Sequence, residues 1–225
     1  MKKLKKVVIL LIVVSLFIYG PAIYGQQSTY QRSANDSAFP LDEIKIVHEA
    51  ALQTADINYK IAAIQQMAKL KKKESVEVLV TIMNQAIDVI DPTRPDEGTW
   101  KWAAAAARAA RSFARVPGAV PRLTPPLTKM MRYHPEERVQ GEAALSLGVV
   151  AAHGDDEIRA KAASALTEKL DKCPIVKNLL ALLLVKALGR LGHRRAFVSL
   201  LAVTQKGFLD IVKQAAKKSL KMLRF

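Results

Sequence analysis

The side chains that most often do chemistry are few and scattered in this sequence. The four histidines are His48, His134, His153 and His193, and no two are spaced to put both on one face of one helix. Cys173 is the single cysteine and has no companion. A zinc site needs three or four converging Cys, His or carboxylate ligands, so no metal is expected. His134, His153 and His193 fall at breaks between apolar runs, where an exposed, solvated imidazole is the expectation. The acidic pairs Glu136-Glu137 and Asp155-Asp156 stand at helix starts. Carboxylates there stabilise the positive end of the helix dipole, which accounts for them without acid–base catalysis. There is no glycine-rich phosphate loop and no Gly-x-Ser-x-Gly elbow. No catalytic residue, no cofactor and no enzymatic activity is therefore expected.

Residues suited to binding are more numerous. The chain carries 35 Lys and Arg against 20 Asp and Glu, a formal net charge of +15. Basic side chains cluster at Arg108, Arg111, Arg115 and Arg122, at Arg190, Arg194 and Arg195, and along the C-terminal segment. If the elements that carry them stack in register, they form a ridge facing an acidic protein patch, an anionic membrane surface or a polyanion. Trp100 and Trp102 flank Lys101 and point to different sides of a helix, so one is expected in the core and one as an exposed interface anchor.

The elements that must position these groups read as helices. Ala and Leu are abundant, aromatics make up 6% of residues, and no period-two stretch bounded by turn dipeptides competes. Helical runs are expected at 43–53, 58–70, 76–90, 100–115, from Pro135 to the Gly154 break, 157–170, from Pro174 to 191, 196–204 and 208–225. Pro121, Pro125 and Pro126 predict a short or irregular helix after Pro117-Gly118. Asp91 to Gly98 is a loop.

The N-terminal residues differ from the rest. Lys2, Lys3, Lys5 and Lys6 precede the apolar run Val7–Tyr19, then Gly20-Pro21 and a small residue, Gly25. That layout is a secretory signal peptide over 1–25, with an uncleaved anchor as the alternative, in a run shorter than the roughly 20 residues that span a bilayer. Residues 26–41 are polar and rich in Ser and Gln, a flexible linker. Without its first 25 residues the chain loses four lysines and no acid, leaving +11. The expected location is the periplasm or cell envelope, and export argues against nucleic acid as a partner.

Internal comparison turns a set of helices into a repeat. Val139, Ala143, Leu147-Gly148 matches Leu180, Leu184, Leu188-Gly189 and then Val212, Ala216, Leu220, with Tyr59, Ala63, Met67 a weaker copy and a divergent unit near Phe113. Each set marks one face of one helix. Ala187-Leu-Gly-Arg-Leu-Gly-His-Arg-Arg-Ala-Phe-Val-Ser-Leu-Leu201 has the form of a helix end, a tight turn and a second helix start. This pattern resembles HEAT repeats, particularly the short type named after phycobilisome lyases. The resemblance covers about 43–225, strongest from 136 on, with His193 where the family begins its turn with Asp or Asn. It implies an all-α fold over 42–225, a right-handed α-α superhelix of about four to five helical hairpins. The resemblance also implies a protein-binding scaffold whose concave face is lined by second helices, with a binder of anionic lipid or polyanion, or a non-catalytic subunit of an envelope enzyme complex, as the alternatives. Met83, Asn84, Lys129, Met130, Arg132, Lys169 and Gln205 occupy those positions. Leu179–Val185, seven apolar residues in a row, predicts a helix covered on every side, and the last helix a polar-faced cap.

Overall fold

The computed structural model describes residues 41–88 and 99–224. The chain divides into two units, Met1–Ala38 and Phe39–Phe225, of which only the second falls within the described residues. The expected signal peptide, most of the expected linker and the expected 91–98 loop lie outside them.

Among the described residues every regular element is a helix. These are α1 (Leu41–Gln53), α2 (Ile57–Leu70), α3 (Ser75–Asp88), α4 (Thr99–Ala109), α5 (Ala119–Tyr133), α6 (Glu137–Ala151), α7 (Asp156–Asp171), α8 (Asn178–Leu191), α9 (Phe197–Gln205) and α10 (Asp210–Leu220). Single 3-10 turns, Ala110–Phe113 and Arg194–Ala196, follow α4 and precede α9. An isolated parallel bridge joins His193 to Arg224.

Local chemistry explains several boundaries. The Asp56 carboxylate accepts the Asn58 and Tyr59 N–H groups at 2.8 and 3.2 Å, and Asp155 accepts that of Ile158 at 2.8 Å. Both satisfy donors that a helix start leaves open. Lys71 and Gly192 end α2 and α8 in the left-handed region, with φ of 51° and 67°. Three helices differ in their bounds from expectation. Pro174 opens a turn rather than a helix, and α8 begins at Asn178. The last helix is shorter than expected at both ends, Asp210–Leu220, and α4 tightens into 3-10 geometry after Ala109.

The largest correction is α5, which runs unbroken for 15 residues through Pro125 and Pro126. Pro121 lies in its first turn, where no N–H bond is lost. Proline at 125 and 126 frees the carbonyls of residues 121 and 122, both of which are exposed and open to water. Val120, Leu123, Leu127, Met130 and Met131 all bury from this helix. At about 1.5–3 kcal/mol per fully buried large apolar side chain, that packing outweighs the loss of two hydrogen bonds.

Packing follows chain order with a period of two helices. α2, α4, α6, α8 and α10 each lie against the next of that set, and α1, α3, α5, α7 and α9 do the same. The two rows meet through α1·α2, α3·α4, α5·α6, α7·α8 and α9·α10. Their shared core includes Ile64, Met67, Leu79, Leu123, Leu147 and Leu166, all fully buried.

The Leu-Gly pairs of the repeat explain the even row. A Cβ on Gly148 would lie 2.4 Å from the carbonyl oxygen of Ala187, and one on Gly189 would lie 2.4 Å from Ser219 Oγ. Ala187 and Ser219 each stand one residue before the repeat leucine of the next unit, Leu188 and Leu220. The same close contact thus recurs one repeat later. In α8 the seven-residue apolar run is covered only in part: Leu180, Ala181, Leu184 and Val185 are buried, Leu182 and Leu183 half-buried, and Leu179 is exposed. In α10, Val212 and Ala216 turn inward and Lys217 and Lys218 face solvent.

Candidate binding surfaces

The basic residues singled out in the sequence divide among three places. Arg108 and Arg111, at the end of α4 and in the 3-10 turn after it, reach across to α6. Arg108 Nη2 donates to Glu142 Oε1 at 2.9 Å, and Arg111 pairs with Glu142 Oε2 while its Nε donates to Ser146 Oγ at 2.9 Å. Burial pushes the Arg111 guanidinium pKa below its usual range, Glu142 opposes that, and the positive charges of Arg190 and Arg108 add to it. Arg190 of α8 therefore belongs to the same group, so these three arginines share the outer surface of the even row. Glu142 had no local signal in the sequence, since its partners lie 31 and 34 residues away.

Lys129 and Arg132 lie on α5, in the odd row, and both are exposed. Arg132 pairs with Glu168 of α7 at 2.8 Å, and its carbonyl accepts from Lys169 Nζ at 3.3 Å. Glu168 also holds Lys172 at 2.9 Å, and the hydrogen bond and charge of Lys172, with the charge of Arg132, keep its carboxyl below the usual range. Arg122 pairs with Glu77 of α3. The odd row is thus laced by cross-helix ion pairs. Met83 and Met130 are fully buried, because α3 and α5 turn those positions into the core, so neither contributes to a surface.

Arg115, Arg194 and Arg195 lie at the turns from even to odd helices and are exposed. Arg115 Nε approaches His153 Nε2 at 3.5 Å, and Arg195 donates to Ser164 Oγ at 3.1 Å. An open groove of about 560 Å³ runs between the α4–α5 turn and the α6–α7 turn, lined by Arg115, Pro117, Gly118, His153 and Asp155. Asp155 is engaged in capping, and His153 Nδ1 faces the Val149 carbonyl at 3.0 Å. The groove therefore brings no nucleophile to a base.

The tryptophans separate. Trp102 is buried beneath Lys60, whose ammonium is 4.3 Å from the ring centre. Trp100 is half-buried, with Arg138 at 5.3 Å and Lys101 at 5.9 Å. Their positive charges over the ring faces are cation–π contacts.

His134 overturns the expectation of a solvated histidine. It is 2% exposed, because the chain turns inward between α5 and α6. Its Nδ1 accepts the Glu136 N–H at 3.1 Å, its Nε2 is buried without a partner, and burial pushes its pKa down to about 4. Cys173 is buried too, and burial raises its thiol pKa. Among the described residues no three Cys, His, Asp or Glu side chains are grouped to hold a metal ion. No helix there is long and apolar enough to cross a membrane.

No protein-family model matches the chain, and no curated protein matches it.

Proposed function

We propose that residues 42–225 form a HEAT-like solenoid, a right-handed α-α superhelix, that serves as a protein–protein interaction scaffold in a bacterial cell envelope. The observation that carries this reading is the recurrence of one inter-helix contact, Gly148 on Ala187 and then Gly189 on Ser219. Successive units that meet at equivalent positions stack in register, and a stack in register presents equivalent side chains side by side along one face. The functional surface on this reading is the outer face of the odd row, where Lys129 and Arg132 stand exposed. It takes an acidic protein patch, with charge governing orientation and encounter rate. The scaffold works by shape, and no residue in it is assigned a catalytic role.

The second reading is a polyanion or lipid binder that uses the even-to-odd turns. Its support is that Arg115, Arg194 and Arg195 share that edge and pair with no carboxylate among the described residues. Affinity capture from an envelope extract with the full chain, at low and at high salt, separates the two. A discrete protein retained at high salt fits the scaffold. Recovery of only lipids or polyanions, lost at high salt, contradicts it, because such binding follows counterion release.

A further inference from the structure

The edge where even helices turn into odd ones carries cations at more places than the sequence singled out. The α2–α3 turn is Lys71-Lys72-Lys73-Glu74, the α4–α5 turn holds Arg115, the α8–α9 turn Arg194 and Arg195, and the segment after α10 Lys221 and Arg224. Apart from Lys72, all of these cations are exposed and pair with no carboxylate among the described residues. Contacts join the turns into one line. The 3-10 turn before Arg115 packs on both α2 and α3. Arg115 approaches His153 of the α6–α7 turn. Asp156 and Arg159, in the first turn of α7, act electrostatically on His193, as Arg195 and Arg194 do. The Gly192 carbonyl accepts the Arg224 N–H at 2.9 Å. Acids do not balance this edge. Glu77, Asp156 and Glu157 are already paired with Arg122, Arg159 and Lys161. Glu74, the capping Asp155 and the acids that open α1 remain, fewer than the cations of the turns. On the opposite edge, where odd helices turn back into even ones, Lys172 and Lys177 are held by Glu168 and Glu137, and Glu136, Asp171 and Asp210 offset Lys206.

We infer that this edge holds one linear phosphate polymer, laid across successive turns from Lys71 to Arg224. The inference rests on the second reading above, whose ligand class and extent it fixes, and not on the scaffold surface of the odd row. The layout of the cations favours that occupant. They do not converge on a closed pocket, as a small anion requires. They follow one another turn by turn, so a polymer that engages one turn meets the next at high effective concentration. The guanidinium forks of Arg115, Arg194, Arg195 and Arg224 suit phosphate oxygens. The open groove beside Arg115 and His153 is concave between two turns, so a single strand can enter it where a flat bilayer cannot. Exposed large apolar side chains, which a bilayer would take up, stand by this edge only at its α9 and α10 end, as Phe197, Val198 and Met222. The turns hold no Trp or Tyr on which bases could stack, so the polymer is read by its charge.

The test is titration of the full chain, at fixed ionic strength, with long-chain polyphosphate, tripolyphosphate, polyglutamate and phosphatidylglycerol vesicles. Wild type is compared with Lys71→Glu/Lys73→Glu and Lys221→Glu/Arg224→Glu, at the two ends of the edge. Lys129→Glu/Arg132→Glu, on the odd row, is the control with the same change of charge. All altered positions are exposed, and circular dichroism checks that each variant keeps its helices. Every protein retains residues 1–25, so binding through their lysines is common to all. Wild type should bind the long polymer at least tenfold more tightly per phosphate than tripolyphosphate, and more tightly than polyglutamate. Each end variant should lose at least fivefold on the long polymer, and the control less than twofold. Equal affinity per phosphate for the long and short chains overturns the inference but leaves an anion-binding edge standing, as do end variants that lose no more than the control. Vesicle binding lost in the end variants, without polyphosphate binding by wild type, overturns it in favour of lipid. Tighter binding of polyglutamate overturns it in favour of an acidic protein. A wild type that binds none of the four overturns both the inference and the second reading.

Discussion

At the scale of single residues, two polar groups contribute to stability, the buried His134 and the half-buried Glu142, and neither was visible in its local sequence. His134 looked like a loop residue because Pro135 follows it, yet the chain folds it under α6. With a folded pKa of about 4 against an ordinary 6.5, the unfolded chain binds the proton first as pH falls. Stability is therefore lost progressively between pH 6.5 and 4, by about 3 kcal/mol if His134 acts alone. Urea unfolding of wild type and His134→Gln at pH 7.5 and 5 measures this. The gap between the two pH values should narrow in the variant, and an unchanged gap would remove His134 from the account. Glu142 is the second case. It answers Arg108 and the three-quarters-buried Arg111 at once, so Glu142→Gln should cost about 1–3 kcal/mol in the same assay. Glu77→Gln, whose pair with Arg122 is more than half exposed on both sides, should cost under about 1 kcal/mol. Equal losses would show that burial does not distinguish them.

At the scale of elements, apolar periodicity in the sequence located the helices well, and the misses have physical causes. Pro125 and Pro126 predicted a short or irregular helix by local propensity, but a helix that buries Val120, Leu123, Leu127, Met130 and Met131 tolerates two exposed unbonded carbonyls. The Leu-Gly pairs were legible as a repeat, although their reason was not, because it lies in the neighbouring helix. Gly148→Ala should lower stability by about 1–3 kcal/mol, since the Ala187 carbonyl beneath it is backbone and cannot swing aside. Gly118→Ala meets nothing in space and pays only for its φ of 76°, about 1 kcal/mol. If thermal or urea unfolding ranks the two the other way, the close approach of α6 and α8 is not what Gly148 provides. The basic cluster was legible only as composition. Its division among the even row, the odd row and the turn edge depends on which helices are neighbours, and no local spacing encodes that.

At the scale of the molecule, the account rests on helices packing in two rows by chain order, with recurring contacts between units and no convergent catalytic cluster among the described residues. Such an arrangement offers long faces and edges. One edge carries Arg115, Arg194 and Arg195, the opposite one Val176, Leu209 and Ile211, and the faces carry cross-helix ion pairs. The central claim is that these rows form an open stack, not a bundle closed on itself. The distance between spin labels on Gln65 of α2 and Gln214 of α10, both exposed, tests it most directly, in a chain whose Cys173 is replaced by Ala. Four helix-packing steps of 8–10 Å separate α2 from α10, so the account predicts a single distance on the order of 35 Å. A distance on the order of 20 Å or less would mean that the row closes on itself, and would contradict the solenoid and the scaffold built upon it.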